Sequence, residues 1–344
     1  MSDSSPNLDV LRSLAVLFVV ASHLLLDNSL LLIGRFHAQT LGTLGVMIFF
    51  VHTCLVLMRS LERQDKLYSH RSLASSFLIR RAFRIYPMSI VVVVILAVVE
   101  RLHTHAHPSL STFLSNLFLV QNLTDGISIT PVLWSLPFEF QMYLFLPGLY
   151  WLTGASAHYG WRWILALWML SVGLVWVFWL FGIDVYLIKF FPCFLPGVLA
   201  YCLRTVPRIF SPLVLFSYVG AAGVIYPTLV GLGYSATVIS WFLCLMLGAI
   251  IPRCQEISMA WLKTFGSVVA RYSYGIYLVH VPVIYLAFHY FSGLSPALAW
   301  AGFAAGVSGL SFFAYHLVEK PGIELGRMLV DRLIVYRRQS APQV

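Results

Sequence analysis

Apolar runs broken by short polar stretches recur along the whole chain. A membrane-spanning helix needs about 20 apolar residues. Runs of about that length occupy 8–27, 41–58, 85–102, 131–153, 161–182, 185–203, 212–230, 235–252, 272–291 and 297–317. The pattern predicts an all-α polytopic integral membrane protein with about ten transmembrane helices. The piece 109–122 is short and amphipathic, an interfacial or re-entrant helix rather than a span. Tyr86-Pro87 is expected to open the third span, where Pro is tolerated in a first helical turn.

Composition agrees with this reading. Apolar residues make up 60% of the 344 positions and charged residues 10%, and mean hydropathy is +0.85. Ordinary soluble chains are about 45–50% apolar and about 25% charged. A soluble enzyme, a disordered chain and a nucleic-acid-binding protein are all disfavoured. The net charge of +9 is explained by placement. Eighteen of the 22 Lys and Arg residues fall in 59–84, at 162, in 204–208, in 253–271 and in the tail from 320. With alternating spans these segments share one side. By the positive-inside rule that side is cytoplasmic and holds both termini. The N-terminus carries Asp3 and Asp9 rather than a basic segment, so the first apolar run reads as a retained span and not a cleaved signal. The chain is expected to form one membrane domain over 1–344, with spans over about 8–317. A short basic tail follows at 318–344, and no further domain is expected after it. Cys54, Cys193, Cys202, Cys244 and Cys254 show no metal-ligand spacing, so neither metal nor disulfide is expected.

Ionisable groups inside spans are costly and usually functional. Arg12 and His23 lie eleven positions apart in the first span. At about 100° and 1.5 Å per residue they share one helix face, about 16 Å apart. The pair suits a pathway through the membrane; the alternative is a snorkelling arginine and a histidine bonded to a neighbouring carbonyl. His52 stands in the second span, with a structural or a substrate-facing role. Arg80, Arg81 and Arg84 cluster on one side of a helix, either as a phosphate-binding set or as a positive-inside anchor. Glu139 is the one acid of the run LWSLPFEFQMYLFLP, at a depth like that of His23. A His–Glu pair there would orient the imidazole as a general base. Trp134 fits an interfacial belt or a substrate contact, and Ser135 a helix cap or a hydrogen bond to substrate. In the ninth span Tyr277 and His280 are at i,i+3, suited to positioning a cofactor or to a structural contact. His103, His105 and His107 alternate in an outer loop without companion ligands, as incidental surface residues.

These residues carry a resemblance. Arg12 and His23 at their spacing, GVMIFFV at 45–51, RRAFRIYP at 80–87, LWSLPFEFQMYL at 133–144, SYGIYLVHVPV at 273–283 and HLVEKP at 316–321 follow in order. Together they resemble the acyltransferase-3 family of integral-membrane acyltransferases over nearly the whole chain. The resemblance implies transfer of an acyl group, commonly acetyl, from cytoplasmic acyl-CoA to a hydroxyl. The acceptor would be a glycan, a glycolipid or lipid-linked sugar, or a secreted small molecule. It implies Arg12 and His23 as the essential pair and Arg80, Arg81 and Arg84 as the CoA-facing cluster. Glu139 and Trp134 fall in the outer motif. His52-Thr53-Cys54 stands where the family usually has Ser-Gly-Phe, which bears on the acyl chain accepted.

The expected mechanism is direct transfer at the bacterial cytoplasmic membrane, with acyl-CoA as donor substrate, no tightly bound cofactor and no nucleic-acid partner. His23 takes the acceptor proton, Glu139 orients it, and the arginines hold CoA phosphates. Tyr277 and His280 help to place the cofactor; Trp134, Ser135 and His52 face substrate. The rival expectation is a transporter or flippase using the Arg12–His23 face as a polar pathway, which predicts inverted repeats or broken helices. A non-catalytic scaffold would leave the pair unexplained.

Overall fold

The computed structural model describes residues 5–27, 36–68, 70–104, 108–124, 126–154, 159–183, 186–291, 293 and 295–339. Arg35, His105 and His107 lie outside the described residues, as do the side chains of Arg71, His103, Arg337 and Arg338. The described residues form helices and no strand. In chain order these are α1 (Pro6–Asp27), α2 (Gln39–Asp65), α3 (His70–Thr104), α4 (Leu110–Leu117), α5 (Leu136–Gly154) and α6 (Gly160–Leu180). They continue with α7 (Tyr186–Cys202), α8 (Pro212–Gly231), α9 (Ala236–Ile250), α10 (Ala260–Tyr285), α11 (Pro296–Ala314) and α12 (Lys320–Gln339).

Among the described residues, seven helical stretches are long and apolar enough to cross a membrane: α1, α2, α3, α6, α8, α9 and the continuous run from α11 into α12. The other three expected spans are helices that fall short of that standard. The 17 residues of α7 reach about 26 Å, less than the hydrocarbon thickness of about 30 Å. Glu139 and Gln141 dilute α5, and Lys263, Ser267, Arg271 and His280 dilute α10. The third helix also begins earlier than expected. It starts at His70, because no breaker interrupts 70–84, and Pro87 lies well inside it. Pro87 supplies no N–H to the carbonyl of Phe83, its i−4 residue.

Two compact units divide the chain: Met1–Arg59 with Gly148–Tyr277, and Ser60–Pro147 with Leu278–Val344. In the first unit α7 is enclosed over its second half, with every residue from Pro192 to Tyr201 buried. Two prolines four positions apart, in PCFLPG, leave one α7 carbonyl without its helical partner, because Pro196 has no N–H for Pro192 O. The Trp168 indole of α6 donates to that oxygen at 3.0 Å. Trp241 of α9 donates to Lys189 O at 2.8 Å. A Cβ at Gly197 would overlap the Val51 carbonyl of α2, so only glycine permits this helix contact. Replacing Trp168 with Phe leaves the buried Pro192 carbonyl without its donor. Thermal unfolding in detergent should show a loss of about 1–3 kcal/mol; an unchanged midpoint would contradict this account.

The start of α1 is tied down within the same unit. Glu256 accepts from Ser5 Oγ at 2.8 Å, from the Asn7 backbone N–H at 3.1 Å and from Arg208 at 3.2 Å. A carboxylate at these orphan N–H groups also complements the helix dipole. In the second unit α12 runs antiparallel to α3. Gly322 sits so close that a Cβ there would come within 2.8 Å of Phe83 O and 2.9 Å of Pro87. The carbonyl freed by Pro87 is thus covered by α12.

Candidate functional site

The two units hold different groups of the expected site residues. Arg12, His23, His52 and Tyr277 stand in the first; Arg80, Arg81, Arg84, Trp134, Ser135, Glu139 and His280 stand in the second.

Arg12 and His23 lie on one unbroken helix, which keeps the shared face expected from their spacing. Arg12 Nε donates to Ser273 Oγ at 2.6 Å. Ser273 is buried, and its own hydroxyl donates to Ala270 O at 2.8 Å. Its lone pair is therefore presented to the guanidinium, and Arg12 is fixed against α10. His23 Nδ1 lies 2.9 Å from Val19 O. A carbonyl only accepts, so this nitrogen carries the proton and Nε2 bears the ring's lone pair in the neutral form. His52 is buried in α2. The Tyr277 ring meets Phe49 edge to face, with centroids 6.2 Å apart.

The arginine cluster of the second unit is on one continuous helix, as expected, but its members have separate partners. Arg80 donates to the Tyr68 hydroxyl and lies 3.5 Å from Asp331. Arg84 pairs with Glu319 at 3.4 Å, and that carboxylate is 1% exposed. Arg81 lies over the Phe77 ring at 5.8 Å, and its buried Nε has no hydrogen-bond partner. Of the three, Arg81 is the one without a carboxylate at bridging distance, and it suits an incoming anion best.

Ring contacts set α5 beside α3. Phe77 meets Tyr143 at 6.3 Å, and Tyr86 meets Phe140 at 5.1 Å, so the helices are antiparallel and Arg81 falls between these two levels. Glu139 and Tyr143 are consequently within electrostatic reach of Arg81. The Tyr143 hydroxyl donates to Glu139 Oε1 at 2.7 Å. Glu139 thus shares the neighbourhood of the arginines, a depth that alternation of spans had not indicated. Trp134 packs edge to face on Phe138 at 6.1 Å; Ser135 and His280 are buried.

Sequence reasoning missed Ser273, Tyr68, Tyr143, Glu319 and Asp331. Tyr143 stands one turn after Glu139, and Glu319 is an acid at the end of an apolar run, so both carried a local signal. Ser273 and Asp331 carried none, since their partners lie 261 and 251 positions away in the chain. Among the described residues no group of three or more His, Cys, Asp or Glu is arranged to hold a metal ion. Burial pushes the Cys254 thiol above its ordinary range, which disfavours a thiolate nucleophile there.

The described residues form a multi-helical protein with half-buried arginines and a histidine whose tautomer a backbone carbonyl fixes. The comparison with known families makes the assignment. The family model for the acyltransferase domain, acyltransferase-3, matches residues 5–316, and the chain belongs to that family. No curated protein and no solved structure gives a significant match.

Proposed function

We propose that this protein is a multi-pass O-acyltransferase of the bacterial cytoplasmic membrane, transferring groups other than amino-acyl groups. It moves an acyl group, acetyl first among them, from cytoplasmic acyl-CoA to a hydroxyl of a glycan, glycolipid or small secreted molecule. The family match over residues 5–316 carries this reading. The chemistry of the residues agrees with it. His23 Nε2 takes the proton of the acceptor hydroxyl as the oxygen attacks the thioester carbonyl. The carbon–sulfur bond breaks, CoA leaves as thiolate, and the proton on His23 returns to that sulfur. The Val19 carbonyl holds Nδ1 of the imidazole. Glu139, held by Tyr143, is within electrostatic reach of Arg81. Arg81 is the contact to the CoA phosphates, in a cluster whose Arg80 and Arg84 are held by Tyr68, Asp331 and Glu319.

The test is thiol release from acetyl-CoA by the purified full chain in detergent. Protein-dependent release supports acyl transfer; its absence, with transport of a polar solute in vesicles, would favour the flippase reading. Arg81→Ala should raise the acetyl-CoA KM about 10- to 100-fold, as expected for a charged hydrogen bond of about 1.5–3 kcal/mol. An unchanged KM would remove Arg81 from the phosphate site.

A further inference from the structure

Two side chains of the second unit, Arg81 and Tyr143, meet on one ring. The Arg81 guanidinium lies over Phe77 at 5.8 Å, and Tyr143 meets the same ring edge to face at 6.3 Å, with an interplanar angle of 77°. Phe77 is fully buried and Tyr143 is 3% exposed. Phe140 packs on the other side of α5, with its ring 6.3 Å from that of Tyr143, so the phenol has little room to turn. Glu139 stands four positions before Tyr143, the spacing that puts both on one helix face. Its Oε1 accepts from the Tyr143 hydroxyl at 2.7 Å. Guanidinium, phenol and carboxylate are thus gathered around Phe77.

A carboxylate and a guanidinium on facing helices favour a bidentate ion pair. Arg80 and Arg84 do reach acids, Asp331 at 3.5 Å and Glu319 at 3.4 Å. Arg81 has Glu139 within electrostatic reach yet outside bridging distance, and its buried Nε has no hydrogen-bond partner. The bond from Tyr143 accounts for the separation. At its length an O–H···O⁻ bond is charge-assisted and about twice as strong as a neutral one. It ties Oε1 to a phenol that the rings of Phe77 and Phe140 hold in place. A buried donor without a partner calls for a role. Here the donor belongs to a cation kept open beside the acid that could fill it.

We propose that Tyr143 is a positioning residue: by holding the Glu139 carboxylate it keeps the Arg81 guanidinium open for a phosphate of the acyl donor. This rests on the acyl-CoA reading of Arg81. The charge of Glu139 remains in reach and weakens the hold of Arg81 on any anion. Free CoA carries the same phosphates as the donor, so the same charge favours its release after transfer.

The experiment titrates the purified full chain in detergent with CoA by calorimetry. Tyr143→Phe frees the carboxylate to close on Arg81, and the CoA Kd should rise about tenfold, the effect of one hydrogen bond to a charged group. Glu139→Gln removes the competing charge, and the Kd should fall about three- to tenfold, as for a unit charge acting through a partly buried site. In Tyr143→Phe/Glu139→Gln the Kd should match that of Glu139→Gln within about twofold, because the phenol then has no charge to hold. A purely structural Tyr143 would weaken CoA equally in both backgrounds, and that result overturns the proposal. So does a Glu139→Gln variant that binds CoA no tighter than wild type. Inorganic pyrophosphate repeats the series without the nucleoside or the thiol arm. The same pattern with pyrophosphate, in a chain that does not bind CoA, would sink the acyl-CoA reading and leave the role of Tyr143 standing. Binding of neither anion overturns both.

Discussion

Replacing His23 with alanine is expected to lower acyl transfer from acetyl-CoA by about 10²- to 10⁴-fold, the range for loss of a positioned general base. The size follows from the tautomer. Nδ1 is committed to Val19 O at 2.9 Å, so the base nitrogen is defined before substrate arrives and no reorganisation is needed in the transition state. The same hydrogen bond makes the variant a fair test. The bond from His23 to Val19 lies within one turn of α1, so losing it costs about 1 kcal/mol, and circular dichroism of the variant should show unchanged helix content. His23→Gln keeps a polar side chain but cannot hold a proton at neutral pH, and it should be as inactive as alanine. Thiol release within threefold of wild type in either variant would end the role of His23.

Removing Arg84 should act on the fold rather than on CoA. Its partner Glu319 is 1% exposed and 3.4 Å away, on the run that carries α11 into α12. Breaking a buried pair typically costs about 3–5 kcal/mol, so Arg84→Met should sharply lower the unfolding midpoint in detergent. The double variant Arg84→Met/Glu319→Leu, with both charges gone, should recover most of the loss, because an apolar pair of similar volume is often as stable as the ion pair. A single variant as stable as wild type, or a double variant no better than the single, would show that Glu319 does not depend on Arg84. The pair with the larger effect on acetyl-CoA KM should be Arg81 with CoA, since Arg84 is occupied by Glu319 and Arg80 by Tyr68 and Asp331.

The helical architecture was legible because the bilayer reading depends on local apolar content alone, and helices occur at each expected position. The number of full crossings was less legible. Glu139 and Gln141 in α5, and the 17 residues of α7, take those helices below the length or apolarity of a complete span. Their shortfall makes sense only beside what they contact: Pro192 and Pro196 are tolerated in α7 because Trp168 supplies the missing donor. Pro87 misled about the start of α3, since its cost is offset by α12 at Gly322, 235 positions later, a contact no local rule anticipates.

The chain on its own determined the class of protein, the shared face of Arg12 and His23, the arginine cluster and the family, since each depends on residue type and short-range spacing. Tertiary structure alone decided what each ionisable group does. Arg12 meets Ser273, Arg84 meets Glu319, and Tyr143 holds Glu139. Helix periodicity places side chains on faces, whereas the partner of a buried charge or amide is chosen by whichever distant helix packs against that face.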